Sequence, residues 1–382
     1  MSTSGFSYKF RYLAQKLREV VRDKQDWTHY LRYTMNNVPY YLGFDWALFP
    51  HTIELIINSS CNARCLMCDI GLKNRNSQVY QVFDRGAILD IPSIGKLVNE
   101  VRFFKPTMTF AGTEPLLHPN IVEAIMLVKE AGLKCVLLTN GYLLPKFADK
   151  LCDSGLDYIT ISVDGTSDIH NKIRGVPHMF ETIVEGITML LARRNRPKVR
   201  IYTTITPLNQ ENLHEVADFF ERLSVDNHTF VHMNFITEDM AISHNRLSLH
   251  AYPATETSNN LLDASRIDPA ILQEQLTSIR KNYRRVAFLP PIFGKSQLER
   301  YYGSGDFIDG CNKCKIHWLT STITANGDVL AFARCYNFVL GNIHQTSFMK
   351  IWNGDQMRQF RRDMIRYGAF PACSRCCAIF MA

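Results

Sequence analysis

Cys61, Cys65 and Cys68, in the stretch Asn58-Ser59-Ser60-Cys61-Asn62-Ala63-Arg64-Cys65-Leu66-Met67-Cys68-Asp69, have a CxxxCxxC spacing that supplies three thiolates rather than four. Four would close the shell of a zinc ion or an iron-sulfur cube, whereas three leave one metal position open. An open position is where a small molecule can bind and react. The competing reading is a structural zinc site completed by a histidine or by Asp69.

A second cysteine group, Cys311, Cys314, Cys335, Cys373, Cys376 and Cys377, lies near the C-terminus. The N-terminus lacks the apolar core of a signal peptide, so the eleven cysteines read as metal ligands in a reducing compartment rather than as disulfides. Cys135 and Cys152 stand outside both groups and read as small buried residues. No run approaches the roughly 18 apolar residues of a membrane span, and the expected location is the cytoplasm.

The elements that must position these residues follow from periodicity. At 382 residues and 46% apolar content, the chain can form one large domain and one smaller. Between residues 52 and 235, β-branched apolar runs alternate with amphipathic stretches, the pattern of βα units on a parallel sheet. Strands are expected at 52–57, 106–110, 134–138, 158–163, 199–205 and 228–235. Helical stripes are set by Ile94, Leu97, Val98 and Val101; by Ile121, Ile125, Val128 and Ala131; by Phe180, Ile183, Ile187 and Leu190; and by Leu213, Val216, Phe219 and Phe220. Six such strands suit a partial (β/α)6 barrel, and an open doubly wound sheet would give nearly the same string.

The polar connector 237–260 reads as a loop or lid, followed by a helix near 269–283, a short strand at 286–289 and Pro290-Pro291. A hairpin turning at Asn326-Gly327 and a last helix at 348–366 follow. The expected organisation is a helical basic extension (1–48), a core (49–236), a connector or lid (237–310) and a small α+β module (311–382).

Residues 1–40 hold seven Lys or Arg against three Asp or Glu, although the whole chain carries only +7. Phe10, Leu13, Leu17, Val20 and Val21 recur there at helical spacing. The preferred reading is a helix packed on the main domain through Trp27, Tyr30, Tyr33 and Tyr40, with its charges solvated. Peripheral contact with a membrane surface or an acidic partner is the alternative. No motif points to nucleic acid.

Further motifs sit at the carboxyl ends of the expected strands, where parallel α/β folds place their ligands. They are Gly112-Thr113-Glu114-Pro115 with Leu116-Leu117-His118-Pro119, Thr139-Asn140-Gly141, and Ser162-Val163-Asp164-Gly165 with His170 and Arg174 beyond. Together with CxxxCxxC after a strand, they resemble the radical S-adenosylmethionine (radical SAM) superfamily, Gly112-Thr113-Glu114-Pro115 being similar to its GGEP with Thr113 replacing the second glycine. The resemblance implies that Cys61, Cys65 and Cys68 hold a [4Fe-4S] cluster whose fourth iron takes the amino and carboxylate groups of S-adenosylmethionine (AdoMet). It also implies that the Gly112-Thr113-Glu114 backbone receives the methionyl ammonium. Asn140, Ser162 and Asp164 are implied polar contacts to ribose or carboxylate, and Arg174 a charged fork to the carboxylate. Met67 stands where many relatives carry an aromatic near adenine. On the residues alone, Glu114 could cap a helix, His118 reads as structural, and Ser162 and Asp164 could be turn residues.

Cys314-Lys315-Ile316-His317-Trp318, Ile323-Thr324-Ala325-Asn326-Gly327-Asp328-Val329, Cys335, Gly341-Asn342-Ile343, Ile351-Trp352-Asn353 and Cys373-Ser374-Arg375-Cys376 resemble the SPASM/twitch extension of the same superfamily. The gap from Gly327 to Cys335 exceeds that group's usual spacing. The resemblance implies one auxiliary [4Fe-4S] cluster on Cys314, Cys335, Cys373 and Cys376, with Cys311 and Cys377 as rivals and a zinc site as the competing reading. The implied activity is reductive cleavage of AdoMet to a 5'-deoxyadenosyl radical, hydrogen abstraction, and electron transfer to the auxiliary cluster. A flavodoxin- or ferredoxin-type protein would be the electron donor. The preferred substrate is a small hydroxylated or sugar-like metabolite; a ribosomal peptide or protein, or a lipid or lipid-linked sugar, are alternatives. A metal-binding scaffold or sensor is the non-enzyme reading. No catalytic acid or base is identifiable, His232 and Asn234 reading as structural.

Overall fold

The computed structural model describes residues 27–83, 86–247, 252–257, 262–303, 307–331 and 338–380. Strands β1 (Thr52–Leu55), β2 (Thr107–Phe110), β3 (Lys134–Thr139), β4 (Tyr158–Ser162), β5 (Lys198–Ile205), β6 (Asn227–His232) and β7 (Val286–Leu289) lie side by side in chain order. All seven run parallel. The strand at 286–289 thus extends the six-stranded core rather than belonging to a connector.

On the other edge, β8 (Thr320–Ile323) pairs parallel with β1, and β9 (Asp328–Leu330) and β10 (Val339–Asn342) follow antiparallel. The C-terminal module therefore continues the barrel sheet, which among the described residues has ten strands and is not closed between β10 and β7.

Among the described residues, twelve α-helices of five residues or more accompany this sheet. They are α1 (Trp27–Asn36), α2 (Ile91–Val101), α3 (Ile121–Glu130), α4 (Leu144–Asp153), α5 (Ser167–Arg174), α6 (Met179–Leu191), α7 (Leu213–Arg222), α8 (Glu238–Asn245), α9 (Pro269–Asn282), α10 (Lys295–Gly303), α11 (Phe348–Trp352) and α12 (Asp355–Tyr367). α2 starts where the Asp90 side chain accepts from Ser93 N, and it buries Ile94, Leu97, Val98 and Val101 as its stripe requires. Strand residues alternate accordingly. Ile53, Leu55, Met108, Phe110, Leu137, Ile159, Ile161 and Ile201 are buried in the main core, while their neighbours form a more polar row on the opposite face.

Two further expectations need correction. The connector 237–260 contains α8, because the Thr237 side chain accepts from Met240 N and Glu238 and Asp239 suit a helix N-terminus. Its apolar stripe is short, Met240, Ala241 and His244 being the buried positions. The helix at 348–366 is two helices, broken at Asn353-Gly354.

The segment ahead of β1 clamps the C-terminal module to the barrel. Trp318 Nε1 donates to Phe44 O at 2.9 Å and Trp352 Nε1 to Leu48 O at 2.8 Å. Arg361, fully buried, donates to His317 O at 3.0 Å and to Asn353 Oδ1 at 2.9 Å while lying over the Trp352 ring. Among the described residues, no helix is long and apolar enough to cross a membrane. The stripe Phe10, Leu13, Leu17, Val20 and Val21 lies outside the described residues, as does Cys335.

Candidate active site

The loop carrying Cys61, Cys65 and Cys68 follows β1 and is pinned at the end of α5. Arg64 N donates to Arg174 O at 2.9 Å and Leu66 N to Ile173 O at 2.9 Å. Gly175 ends α5 at φ +66°, and a Cβ there would stand 2.9 Å from Arg64 O, so this approach needs glycine. Cys61 is exposed, Cys65 buried and Cys68 between. Burial and the neighbouring Cys65 push the Cys68 thiol up to about 11. In the metal-free chain it is neutral, and metal uptake must displace its proton.

Glu114 organises the floor of the site. Its Oε1 accepts from Thr139 Oγ1 at 2.7 Å and from Leu116 N at 3.0 Å, and its Oε2 accepts from Asn140 N at 2.7 Å. Burial pushes this carboxyl up, against the hydrogen bonds that favour its charged form. The Glu114 side chain is thus directed at the loops after β2 and β3. What it offers a ligand is the shape of its turn. Glu114 N donates to Ser60 O at 3.2 Å, Asn58 Nδ2 donates to Glu114 O at 2.9 Å, and Thr113 Oγ1 donates to Asn58 O at 2.8 Å. Gly112 enters this turn at φ +96°, where a Cβ would meet Ile56 Cγ1 at 2.6 Å.

Asn140 reaches the cysteine loop. Its Nδ2 donates to Asn62 Oδ1 at 2.7 Å and lies 3.9 Å from Cys61 Sγ. Asp164, fully buried beyond β4, pairs with Arg174, whose Nε is 2.6 Å from Asp164 Oδ2 and whose Nη1 is 3.6 Å from Cys65 Sγ. Burial opposes the guanidinium charge, but Asp164 and Cys65 more than offset it and hold Arg174 above its ordinary value. Arg174 therefore faces Asp164 and the cysteine loop. His170 Nδ1 accepts from Asp164 N at 3.0 Å, and burial pushes this imidazole well below its usual range, so it stays neutral. Ser162 ends β4, half-buried, on the polar row. His118 bonds Leu89 O at 3.1 Å through Nε2 and accepts from Asn120 N through Nδ1, a structural role.

This donor set fits an iron-sulfur cluster with an open position. Three thiols share one loop, the Arg174 guanidinium lies 3.6 Å from Cys65 Sγ, and a glycine turn lies alongside. Among the described residues, no group of three or more His, Cys, Asp or Glu side chains is placed to hold a single metal ion.

Within the C-terminal group, burial and the nearby Cys376 push Cys314 up to about 12, with Cys377 adding to the effect. These three sulfurs therefore share one electrostatic neighbourhood. Cys373 is buried, and Cys376 N donates to Cys373 O at 3.0 Å. Cys377 is held by Asn234, just beyond β6: its N donates to Asn234 Oδ1 at 3.1 Å, and Asn234 Nδ2 lies 3.5 Å from its Sγ. Tyr301 in α10 donates to Met233 O at 3.2 Å and Arg375 O at 3.1 Å, joining the cysteine segment to the barrel.

Asn58, Asn62 and Asn209 carry contacts for which sequence reasoning assigned no role. Asn209 Nδ2 donates to Asp164 O at 2.6 Å and Thr204 O at 2.8 Å, fixing the loop after β4 against that after β5. Their one sequence signal is position, just beyond the carboxyl ends of β1 and β5.

Residues 55–223 match the radical SAM superfamily, and residues 314–377 match SPASM, an iron-sulfur cluster-binding domain. The AdoMet-dependent heme synthase of Methanosarcina barkeri (strain Fusaro / DSM 804) is 31% identical over 183 residues, 45% of this chain and 46% of that protein. The match to this relative thus spans about half its length. The Fe-coproporphyrin III synthase of the same organism is 25% identical over 346 residues, 83% of this chain and 78% of that one. Streptococcus suis SuiB bound to S-adenosylmethionine has a similar fold, with a TM-score of 0.60 at 15% identity over 92% of this chain and 78% of SuiB.

Proposed function

With a radical SAM domain followed by a SPASM domain, the chain belongs to the radical SAM superfamily, and from that membership we propose that it is an oxidoreductase acting on a C–H bond of a small hydroxylated metabolite. Cys61, Cys65 and Cys68 would hold the AdoMet-binding [4Fe-4S] cluster, and the C-terminal cysteines, Cys314, Cys373 and Cys376 among them, an auxiliary cluster. When bound, these groups supply a 5'-deoxyadenosyl radical for hydrogen abstraction and an acceptor for the electron left on the substrate.

The chain's own residues supply placement. The Gly112-Thr113-Glu114 turn and Asn140, fixed through the Glu114 carboxylate, orient AdoMet beside the thiols. The buried Arg174–Asp164 pair keeps the cluster loop in register and brings positive charge to Cys65. Rigid neighbours of this kind hold reacting atoms within attack distance.

The observation that carries the substrate class is the polar row of the sheet. Thr109, Ser162, Tyr202, Thr204 and Thr322 occupy it with Glu54 and Arg200; Thr322 Oγ1 bonds Glu54 at 3.3 Å, and Arg200 lies 3.7 Å over the Tyr158 ring. Such a hydroxyl-rich surface matches a polyol better than a macrocycle with large apolar faces. The electron would come from a flavodoxin- or ferredoxin-type donor.

A peptide substrate is the second reading, supported by the similarity in fold to SuiB, which has also been solved with precursor peptide SuiA. Anaerobic turnover with AdoMet and perdeuterated substrates separates the two. Deuterium entering 5'-deoxyadenosine from sugars or aminocyclitols supports the metabolite. Deuterium entering only from peptides overturns it in favour of the second reading.

A further inference from the structure

The strand N-termini end of the barrel carries an apolar surface remote from the Cys61–Cys68 loop. α1 and the helical turn Val38–Tyr41 have two faces. One packs inward: Tyr33 meets His51 at 5.2 Å, Tyr40 meets Trp318 at 5.0 Å, and Asn36, Asn37 and Pro39 are buried. The other bears Leu31, Met35, Val38 and Leu42, spaced four, three and four residues apart, and these are 58%, 59%, 47% and 62% exposed. That spacing is one helical stripe, turned outward.

The stripe continues in exposed aromatics. Phe44 stacks on Trp46 at 5.3 Å, and Phe49 meets the exposed Phe103 at 5.6 Å. Arg32 Nη1 donates to Phe104 O and Lys105 O at 3.4 Å, which joins α1 to the Phe103 edge. Cations rim this surface. Arg102 and Lys105 are exposed beside Phe103, and Arg362 and Arg366, with Ile365, border the groove at Phe44. Asp45, the carboxylate in that groove, is bound by both Arg358 and Arg362 and leaves the border positive.

We propose that this surface docks on an anionic lipid bilayer. Scattered exposed hydrophobics need no partner, whereas an aliphatic stripe with Trp and Phe beside it and a Lys/Arg rim has the composition of an interfacial segment. Charge supports lipid over a second copy, since two such cationic rims would repel. The sequence leading into α1 carries the same chemistry: residues 1–26 hold six Lys or Arg against three Asp or Glu, with Phe10, Leu13, Leu17, Val20 and Val21 at helical spacing. The surface precedes β1 and β2, at the opposite end of the strands from the Cys61–Cys68 loop, so docking leaves that loop facing away from the bilayer.

Sedimentation of the full-length, cluster-reconstituted protein with vesicles tests this. Binding is expected to phosphatidylcholine vesicles containing phosphatidylglycerol, and at least about tenfold weaker to phosphatidylcholine alone. A Leu31→Asp, Met35→Asp, Leu42→Asp variant with unchanged circular dichroism and iron content should bind mixed vesicles at least about tenfold more weakly. In the wild type, brominated lipids should quench tryptophan fluorescence, and Trp46→Phe should remove most of that quenching. The proposal is overturned if the wild type ignores both kinds of vesicle. It is equally overturned if the triple variant binds normally while removal of residues 1–26 abolishes binding, which moves the contact to that segment. A wild-type dimer that ignores vesicles and becomes monomeric in the triple variant would assign the surface to a second copy.

Discussion

Nε of Arg174 stands 2.6 Å from Oδ2 of Asp164, inside the protein, with Nη1 of the same guanidinium 3.6 Å from Sγ of Cys65. One cation therefore joins the loop after β4 to the cysteine loop after β1, two motifs a hundred residues apart in the chain. The pair gives the proposed cluster site a positive neighbour and a fixed register with the polar row.

Arg174→Ala should strand the Asp164 carboxylate without a counter-charge. The expected loss is about 3 kcal/mol of unfolding free energy in urea, with reduced iron in the reconstituted first cluster. Arg174→Lys should recover part of the stability, though not the two-sided contact. An Arg174→Ala protein as stable as the wild type would mean that the pair holds nothing together.

Glu114→Gln keeps the shape of the side chain but replaces one acceptor oxygen with an amide. That amide must face Thr139 Oγ1 and Leu116 N, or Asn140 N. AdoMet affinity by calorimetry should fall about tenfold, the cost of one disrupted hydrogen-bonding site, while iron content stays the same. Unchanged affinity would remove Glu114 from the positioning scheme.

Two glycine substitutions should move in opposite directions. Gly112→Ala places a Cβ 2.6 Å from Ile56 Cγ1 at φ +96°, and should destabilise by about 2 kcal/mol or more. Gly95→Ala, inside α2 and 3.9 Å from Leu127 Cδ1, should stabilise by about 0.5–1 kcal/mol. Thermal unfolding of both variants checks the pair.

Burial holds His228 and His232 down at about 3. Their unfolded forms bind protons near the ordinary value of about 6.5, so the unfolded chain takes up more protons between those limits. Stability should therefore fall as pH drops below about 6.5, by up to about 1.4 kcal/mol per pH unit per histidine. His228→Gln should reduce that slope in urea unfolding of the metal-free protein from pH 7.5 to 5.0. An unaltered slope would contradict a neutral, buried His228.

Strand positions were legible because burial alternates residue by residue, as along Lys198–Ile205. The continuity of the C-terminal module with the sheet was not, since the β1–β8 pairing joins segments with no sequence signal for each other. Helix α4 carries a weak sequence signal, because Leu144, Ala148, Leu151 and Cys152 form a stripe diluted by one alanine and one cysteine. At the site, the loops named from sequence lie side by side in the structure, while the direction of their side chains is not encoded in the spacing of the motifs. Glu114 and Arg174 were expected near AdoMet. Their charged groups are directed at Thr139, Asn140, Asp164 and Cys65, and what places them there is burial, which spacing does not encode. The outward turn of Leu31, Met35 and Leu42 was likewise hidden, because an apolar stripe reads the same whether or not something covers it.

Anaerobic reconstitution with iron and sulfide, followed by dithionite and AdoMet, tests the central claim most directly. The account predicts about eight irons per chain for two four-iron clusters, with formation of methionine and 5'-deoxyadenosine. Cys65→Ala should abolish product, and replacing Cys314 and Cys376 by Ala should remove about four irons while the first cluster remains. A chain that retains fewer than about three irons, too few for one cube, and forms no 5'-deoxyadenosine would contradict it.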